Sequence, residues 1–388
     1  MKILFIHPNL SRYATKQIFS LSKNKDISCF LLCGASDVSV FKDDEIEKSC
    51  NNIWSDLPVL KYPFQYKFLI SRIKKIVKKY DIDLINVYSM PDDFAVAALK
   101  SSSVPVIFSL RDVTSTFSKE ILFSRVKFSN YISKTFLKKP LQNLLYSYIK
   151  KMEKEAMEKS SGRIFSTPCM FDYSKKNYRL NKNNLVFLNY ILTKELPKNK
   201  VEKLSKSDGI HIGFTGNITL DDNYRNFFPF FKKLAKNKIN VHMHVVSNNK
   251  KNLNHIKSVS SKNKYLHYYP PMSPKKVIEF LTRYDYGILP FESEISYYDT
   301  ILPNKLFDYL TAGLPIISSE VFCIKDFISK NKIGFSYKDF NDLIGLLKVN
   351  NPNQYKIKKT DYLMERHIGD LIKFYKKVIE GEKLDKNV

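Results

Sequence analysis

The chain has 388 residues, a formal net charge of +26, 44% hydrophobic residues and 14% aromatic residues. This length exceeds one ordinary hydrophobic core and suits two domains of roughly 150–200 residues each, and the apolar content excludes a disordered protein. The apolar run at the start, Ile3–Ile6, is too short for a signal peptide, and no run reaches the ~18 residues of a membrane span. The five cysteines are scattered, with no C-x-x-C pair, as is typical of reduced thiols. These features predict a cytoplasmic protein.

The positive charge has two interpretations, and the sequence leaves both open. Lysine occurs in every segment, so much of the excess could simply solvate the surface. A basic protein also attracts anionic partners, such as nucleotide diphosphates, membrane surfaces and nucleic acids. Nucleic acid is not expected as a partner, because no RNA-binding or DNA-binding module is recognisable.

Short apolar runs alternate with helical patterns through the first half of the chain. The runs are nearly continuous, as in parallel strands that are buried on both faces. They are Lys2–His7, Ile27–Cys33, Asp83–Tyr88, Val104–Leu110, Arg163–Ser166 and Leu185–Leu188, with helical patterns at Phe68–Tyr80, Asp92–Lys100 and Leu141–Lys159. Repeated βα units predict right-handed crossovers and a doubly wound α/β domain over residues 1–195.

A polar stretch over residues 189–207 interrupts this alternation and indicates a linker. The alternation restarts over residues 208–350, which predicts a second doubly wound α/β domain. Its strands are predicted at Ile210–Phe214, Val241–Val246, Tyr265–Tyr268, Tyr286–Leu289 and Leu314–Ser318, with helices at Tyr224–Lys236, Pro274–Arg283, Asn304–Ala312 and Ile324–Lys330. A further helical apolar pattern covers residues 358–380.

The segment Thr300–Ser319 reads TILPNKLFDYLTAGLPIISS and predicts a loop, a helix, a glycine stop and a buried strand. Pro303 suits the first helical turn, and Gly313 suits the left-handed residue that ends a helix. A helix N-terminus presents free amides that suit a diphosphate, and a carboxylate at Asp308 could accept hydrogen bonds from a ribose. A routine αβ unit, with Lys305 and Asp308 as surface charges, is the structural alternative.

This segment resembles the P-x-K-x-x-E-Y-x-A-x-G-x-P-V/I-V/I block of the retaining GT-B glycosyltransferases of family 4, also called glycosyl transferases group 1. His267–Pro290 resembles the block that precedes it in that family, and Ile212–Gly216 is similar to the first strand and glycine loop of the family's C-terminal domain. Asp83–Tyr88 and Val106–Asp112 resemble two strand ends of its N-terminal domain. The resemblance is strongest over residues 265–335 and weak before residue 80.

The resemblance implies two Rossmann-like parallel-sheet domains that face a cleft, and a final helix that crosses back to the first domain. The second domain would bind a nucleotide-sugar donor and the first domain an acceptor. The implied reaction is transfer of a sugar with retention from a UDP-sugar or GDP-sugar to a hydroxyl of a glycan or lipid-linked acceptor, and the leaving phosphate would take the acceptor's proton. The expected product is a cell-surface polysaccharide or a glycolipid. No tightly bound cofactor or metal ion is expected.

Family roles carry over only to residues that match. The carboxylate that holds the donor ribose maps to Asp308, where glutamate is usual, and the family's partner glutamate maps to Thr300. Lys305 and Arg225 are the candidate cations for the diphosphate, although a cation exposed at a helix start is the alternative for Arg225. Further donor-side candidates lie beside the glycine loop and at the helix start, namely Gly216, Asn217, Pro303 and Asn304.

The first domain departs further from the family pattern. Many members carry H-x-H or H-D near the donor and a glycine pair in the first loop, whereas this chain has Asn86, Tyr88, Arg111 and Asp112 at the strand ends and Pro8–Arg12 in that loop. Arg111 is a third candidate catalytic residue, and the acceptor-side candidates are His7, Ser11, Arg12, Tyr88 and Asp112. A packing or capping role is the alternative for His7. These departures leave a catalytically inactive or epimerase-like relative as an alternative function.

Two basic amphipathic stretches, Phe68–Tyr80 and Ser124–Lys151, favour contact between the first domain and an anionic membrane that carries a lipid-linked acceptor. The protein would then be peripheral on the inner face of the cell membrane. Ordinary helices with a lysine-rich outer face are the structural alternative. A basic protein that binds membranes or nucleic acid without catalysis is a further alternative function.

Overall fold

The computed structural model describes residues 1–7, 10–34, 44–57, 66–89, 92–101, 103–124, 138–198, 201–204, 208–220, 225–245, 249–291 and 296–385. The chain forms two compact units, Met1–Tyr190 with Met364–Val388, and Ile191–Leu363. Each unit contains one parallel sheet with helices, so the predicted α/β class with two doubly wound sheets is confirmed.

The first unit contains a seven-stranded sheet in the order β3-β2-β1-β4-β5-β6-β7. Its strands are β1 (Lys2–His7), β2 (Ser28–Gly34), β3 (Asn52–Leu57), β4 (Leu84–Tyr88), β5 (Val106–Leu110), β6 (Gly162–Phe165) and β7 (Asn184–Val186). Its helices are α1 (Arg12–Ser22), α2 (Asp44–Ser49), α3 (Tyr66–Tyr80), α4 (Asp93–Ser101), α5 (Lys119–Ser124), α6 (Lys138–Lys159), α7 (Pro168–Asn177) and α14 (Met364–Asp385). The strand order reverses at β1, which is paired with both β2 and β4.

The central strands of this sheet are fully buried, which explains their continuous apolar sequences. Every residue of β4 and β5 is buried, and β1 is buried after Lys2. All the strand pairs are parallel, so the carboxyl ends of the strands lie along one edge of the sheet. In such sheets, the residues that follow those ends form the binding edge.

The final helix α14 belongs to the first unit, as the predicted crossing requires. It contacts α1, and its apolar side chains approach the sheet at Gly162. A Cβ atom at Gly162 would lie 3.0 Å from both Phe374 and Val378. The buried hydroxyl of Tyr375 also donates a hydrogen bond to Oδ1 of Asn86 on β4 at 3.4 Å.

The second unit contains a six-stranded parallel sheet in the order β10-β9-β8-β11-β12-β13. Its strands are β8 (His211–Gly216), β9 (Asn240–Val245), β10 (Leu266–Tyr269), β11 (Tyr286–Leu289), β12 (Ile316–Ser319) and β13 (Gly334–Tyr337). Its helices are α8 (Phe228–Lys236), α9 (Lys250–Ser260), α10 (Pro274–Leu281), α11 (Asn304–Ala312), α12 (Phe322–Asn331) and α13 (Phe340–Val349). Gly313 ends α11 with φ 76°, in the predicted left-handed conformation.

Several predicted elements differ from the structure in detail. Pro303 is the N-cap residue of α11 rather than part of its first turn. The helix predicted from Tyr224 begins at Phe228 in the described chain, and Tyr224 itself lies outside the described residues. Of the predicted basic stretch Ser124–Lys151, residues 125–137 also lie outside them. Strands β3 and β13 were not predicted at all.

Candidate functional site

The candidate donor site lies at the carboxyl edge of the second sheet, where β8 ends and α11 begins. Gly216 closes β8 with φ 132°, a conformation that favours glycine. A Cβ atom at this position would lie 3.2 Å from Nζ of Lys305, in the first turn of α11. The bare backbone of Gly216 therefore makes room for the lysine side chain, and the structure brings these two predicted residues together.

The ammonium group of Lys305 lies among three phenylalanine rings, which we call the aromatic cage. Its Nζ is 4.2 Å from the ring centroid of Phe214 and 5.2 Å from the centroids of Phe227 and Phe291. Within the described part of the chain, Lys305 makes neither a hydrogen bond nor an ion pair. The pKa of Lys305 is lowered to about 7, mainly by burial and also by the charge of Arg225, against the charge of Asp308, which raises it. The ammonium group of Lys305 therefore loses its proton more readily than that of an exposed lysine.

Asp308 and Arg225 flank this lysine in different environments. Asp308 is half-buried one turn after the start of α11, on the helix face that carries Lys305. Arg225 is exposed, and its carbonyl oxygen accepts a hydrogen bond from the backbone N–H of Thr219 at 3.2 Å. Both side chains are charged groups near Nζ of Lys305, because both influence its pKa.

Two other predicted donor-side residues have contrasting hydrogen bonding. The side-chain Oδ1 of Asn217 is buried and accepts no hydrogen bond within the described part of the chain. An unpaired acceptor of this kind costs free energy until a donor reaches it. Thr300 is buried, and its hydroxyl donates to the carbonyl oxygen of Tyr297 at 3.1 Å. The neighbouring Asp299 accepts a hydrogen bond from the backbone N–H of Phe322 at 3.4 Å.

Tyr309 fixes the helix that carries the site, and sequence analysis did not identify it. Its buried hydroxyl donates to the carbonyl oxygen of Ile288 at 3.0 Å and accepts from the backbone N–H of Thr215 at 3.4 Å. One side chain of α11 thus binds the ends of β8 and β11 together. The match of Tyr309 to the tyrosine of the P-x-K-x-x-E-Y pattern could have indicated this role.

At the carboxyl edge of the first sheet, His7 contacts Tyr88 and Ser11. Its ring packs on Tyr88 with centroids 4.8 Å apart, and its Nε2 is 3.1 Å from Oγ of Ser11. Ser11 also caps α1 by accepting from the backbone N–H of Ala14 at 3.3 Å. Burial lowers the pKa of His7 well below its usual value, and the charge of Arg111 adds to this effect. His7 is therefore a neutral imidazole at physiological pH.

The other acceptor-side candidates occupy the same edge. Tyr88 is fully buried, and its hydroxyl donates a hydrogen bond to Oε1 of Gln17 at 2.6 Å. This bond fixes the ring on which the imidazole of His7 packs. Arg111 follows β5, and its backbone N–H donates to Oγ of Ser89 at 3.0 Å. Asp112 follows Arg111, and Arg12 begins α1 next to Ser11. Both charged side chains are half-buried.

Glu153 is a further residue of this edge that sequence analysis missed. Its buried carboxylate accepts hydrogen bonds from the backbone N–H of Ser115, at 2.8 Å, and from the hydroxyl of Tyr178. Ser115 lies in the short turn Thr114–Thr116 that follows Asp112. The carboxylate on α6 therefore anchors the loop that carries two candidate residues. The sequence did not indicate the buried role of Glu153, because this residue lies among other charged residues in a helix that the sequence suggests is exposed.

Four histidines cluster in the second sheet, on the strands β8, β9 and β10. Nδ1 of His211 is 3.0 Å from Nε2 of His242, and Nε2 of His244 is 2.9 Å from the hydroxyl of Tyr284. His267 stacks on His242 with centroids 4.4 Å apart. Burial lowers the pKa of His242 to about 2 and that of His244 to about 4. In the described residues, no group of His, Cys, Asp or Glu is arranged to hold a metal ion.

Comparisons with known proteins agree with this architecture. Residues 218–370 match the family model described as glucosyltransferase 3-like, C-terminal domain. No curated protein sequence matches the chain. No helix in the described chain is long and apolar enough to cross a membrane.

Three solved structures share the fold over nearly the whole chain. A sucrose-phosphate synthase from Thermosynechococcus elongatus has a TM-score of 0.70 at 11% identity and covers 98% of this chain and 100% of its own. A glycosyltransferase from Rickettsia africae has a TM-score of 0.66 at 13% identity, with coverage of 97% and 98%. HepE from Anabaena, solved in complex with UDP-glucose, has a TM-score of 0.60 at 10% identity, with coverage of 98% and 99%. The predicted resemblance to GT-B glycosyltransferases is therefore confirmed, and the family match supports a glycosyltransferase.

Proposed function

We propose that the protein transfers a sugar, with retention, from a nucleotide diphosphate donor to a hydroxyl of a glycan or lipid-linked acceptor. The observation that carries this proposal is the placement of Lys305 at the start of α11 and directly beside Gly216. A cation, a bare backbone and a helix N-terminus meet there, at the carboxyl edge of a parallel sheet. That combination suits the diphosphate of a sugar nucleotide.

The leaving diphosphate develops negative charge as the bond to the sugar breaks. Lys305 and the free amides at the start of α11 would stabilise this charge, with Arg225 as a second cation. The glycine at position 216 would let the phosphate oxygens approach the backbone. In the mechanism that the resemblance implies, the leaving phosphate also accepts the proton of the attacking hydroxyl, so the protein supplies charge and positioning.

Asp308 would hold the ribose of the donor through its hydroxyl groups. Its distance from the start of α11, one helical turn, is suited to a nucleoside whose diphosphate lies at the helix N-terminus. The buried, unpaired Oδ1 of Asn217 would accept a hydrogen bond from a hydroxyl or N–H of the sugar nucleotide. A UDP-sugar is the first donor to test, because the similar HepE was solved with UDP-glucose.

The acceptor would bind at the carboxyl edge of the first sheet. His7 is neutral and hydrogen-bonded to Ser11, so it could orient an acceptor hydroxyl without adding charge. Arg111, Arg12 and Asp112 supply charged and polar groups at the same edge. This set suits a polar acceptor such as a sugar ring, and it fits synthesis of a cell-surface polysaccharide or glycolipid.

A basic surface on the helical layer of the first unit favours a lipid-linked acceptor. Helices α3 and α6 both contact α4, so they lie on one face of the sheet. Phe68 at the start of α3 is 81% exposed, and Leu144 near the start of α6 is 67% exposed. The described exposed lysines of these helices are Lys74, Lys75, Lys78, Lys79, Lys139, Lys150, Lys151, Lys154 and Lys159. Exposed apolar side chains among lysines are typical of proteins that bind anionic lipid surfaces.

Thermal denaturation with UDP, GDP, CDP and a DNA oligonucleotide at physiological salt would test the donor site. We expect one nucleotide to raise the melting temperature selectively, since ligands that bind only the folded state stabilise it. Stabilisation by the oligonucleotide alone would instead support a nucleic-acid binder. Mass spectrometry of products formed from the matching sugar nucleotide and a cell extract would then separate transfer to an acceptor from epimerisation of the donor.

A further inference from the structure

We propose that this protein takes up one proton from solvent when it binds the diphosphate of its donor, and that Nζ of Lys305 binds this proton. The inference rests on the proposed donor site and adds a property to it. In the described part of the free protein, the lysine side chain contacts aromatic rings and forms no ion pair. The donor itself would be the anion that this side chain lacks.

The aromatic cage determines the charge state of the free side chain. Three ring faces surround Nζ at 4.2–5.2 Å, and they displace water that would otherwise hydrate an ammonium group. Ring faces attract a cation, but they replace only part of its hydration free energy. Among the described residues, no oxygen atom accepts a hydrogen bond from Nζ. The neutral amine form of Lys305 is therefore more favourable, relative to the ammonium form, than it is at an exposed lysine.

Among the described residues, the charged groups that act on Lys305 are Arg225, which precedes α8, and Asp308 on α11. The other described neighbours of its ammonium group, Phe214, Gly216, Phe227 and Phe291, carry no titratable side chain. Burial and Arg225 together outweigh Asp308, so the pKa of Lys305 falls to about 7. At neutral pH, a substantial fraction of the free protein thus carries an uncharged amine at this position.

Binding of a sugar nucleotide instead favours the protonated form of Lys305. Its diphosphate is esterified at both ends and keeps two negative charges throughout the neutral range. An opposite charge within hydrogen-bonding distance raises the pKa of an amine by roughly 1–3, so Lys305 becomes predominantly protonated in the complex at neutral pH. One N–H bond forms at Nζ, and the conjugate acid of the buffer loses the proton. No other bond changes in this binding step.

This linkage predicts how donor affinity varies with pH. Above pH 7, binding must first protonate the lysine, so the dissociation constant should rise by up to about tenfold for each pH unit. Below pH 6 the lysine is already charged, and the affinity should be nearly constant. Lys305→Arg keeps a permanent charge, so its affinity should not follow this pH dependence.

Isothermal titration calorimetry with UDP-glucose and GDP-glucose, in two buffers of different ionisation enthalpy, measures the uptake directly. With a pKa of about 7 in the free protein and a rise of roughly 1–3 in the complex, we expect about 0.4–0.9 proton per bound nucleotide at pH 8 and about 0.1 at pH 6. Lys305→Arg should bind without uptake, and Lys276→Arg, an exposed control on α10, should behave as the wild type. Uptake near zero at pH 8 in the wild type, or equal uptake in Lys305→Arg, would overturn the inference.

NMR of the free protein with ¹³C-labelled lysine separates this inference from the proposed function. One lysine resonance should titrate near pH 7 and be absent from Lys305→Arg. Arg225→Gln should move that titration to higher pH, and Asp308→Asn should move it to lower pH. If neither sugar nucleotide binds while the resonance titrates as expected, the donor assignment fails and the cage's effect on Lys305 stands. If no lysine titrates below pH 9, the proton-uptake inference fails by itself.

Discussion

The ring of Tyr309 packs directly on the backbone of Gly287, so that a Cβ atom on Gly287 would lie 2.4 Å from the ring. This contact brings α11 against β11, and the tyrosine hydroxyl then reaches the carbonyl oxygen of Ile288. Gly287 lies in the stretch His267–Pro290 that resembles a family block, and this glycine has a structural reason here, since a larger residue would push away the helix that carries Lys305 and Asp308.

Gly287→Ala should therefore destabilise the second unit by about 1–3 kcal/mol, as expected when atoms are forced into a packed core. Urea denaturation of the full chain would measure the change. Gly345→Ala on α13 is the matched control, because a Cβ atom there meets nothing within 4 Å. It should be neutral or stabilising by about 0.5–1 kcal/mol. Equal stability of Gly287→Ala and the wild type would show that the helix can move without cost.

Asp308→Ala should weaken nucleotide binding by about 1–3 kcal/mol, because a charge-assisted hydrogen bond to the ribose is lost. The fold should be little affected, and Asp308→Glu should be tolerated. Calorimetry with the nucleotide that stabilises the protein would measure both. Asp326→Ala, which removes the half-buried partner of the exposed Lys330 on α12, is the control and should bind normally. Unchanged affinity in Asp308→Ala would remove Asp308 from the site.

The buried histidines should make the second unit sensitive to acid. Their pKa values are lowered in the folded state, to about 2 for His242 and about 4 for His244. The unfolded chain therefore binds protons first as the pH falls below about 6.5. The stabilisation is complete above that pH and is lost progressively towards pH 4.

At pH 5 the loss should be on the order of 1–2 kcal/mol for each of these two histidines. Urea midpoints between pH 8 and pH 5 would show it, and His244→Phe should reduce the slope. His255→Gln, at an exposed position on α9, is the control and should keep it. A stability that does not change over this range would contradict the buried, neutral state of the cluster.

The contact between α14 and the first sheet can be tested with a charge at its centre. Val378→Asp places a carboxylate against Gly162 in a fully buried position and should cost about 3 kcal/mol or more. Lys376→Asp changes an exposed residue of the same helix and should cost less than about 0.5 kcal/mol. Chain truncation after Leu363 should expose the same apolar surface and cause aggregation, which light scattering would detect. Equal stability of the two variants would contradict the packing of α14.

The basic helices α3 and α6 should bind vesicles that contain anionic lipid, and the binding should fall with added salt. Flotation of the protein with anionic and neutral vesicles would measure this. Charge reversal at Lys139, Lys150 and Lys151 should weaken binding several-fold, as should Phe68→Ser. Charge reversal at three exposed lysines of the second unit, Lys232, Lys233 and Lys236, is the matched control. Equal binding to neutral vesicles would point to apolar adsorption instead.

The sequence predicted the buried strands well and missed two of the four edge strands of the described sheets, β3 and β13. The continuous apolar runs of β1, β4 and β5 follow from burial on both faces. Strand β3 lies at the edge of its sheet and reads NIWSDL, and β13, at the edge of the other sheet, reads GFSY. An edge strand has one neighbour and more exposure, so its sequence needs no continuous apolar run.

The residues of the candidate site were likewise predicted only in part. Lys305, Gly216 and Asp308 were predicted because their spacing follows a family pattern. The aromatic cage was not predicted, because Phe214, Phe227 and Phe291 come from three separate segments and each is indistinguishable from a core residue in the sequence. Their shared role depends on the tertiary fold, which brings the three rings to one ammonium group.

Helix α14 also has a consequence for synthesis of the chain on the ribosome. Because the first unit includes Met364–Val388, the packing on its sheet cannot be completed until α14 has emerged, after the whole second unit has been made. The surface around Gly162, Asn86 and β6 stays open to solvent during that interval. Exposed apolar surface of this kind binds chaperones and favours aggregation. The nascent chain should therefore depend on chaperones until α14 has emerged, whereas the second unit, continuous in sequence, can fold earlier.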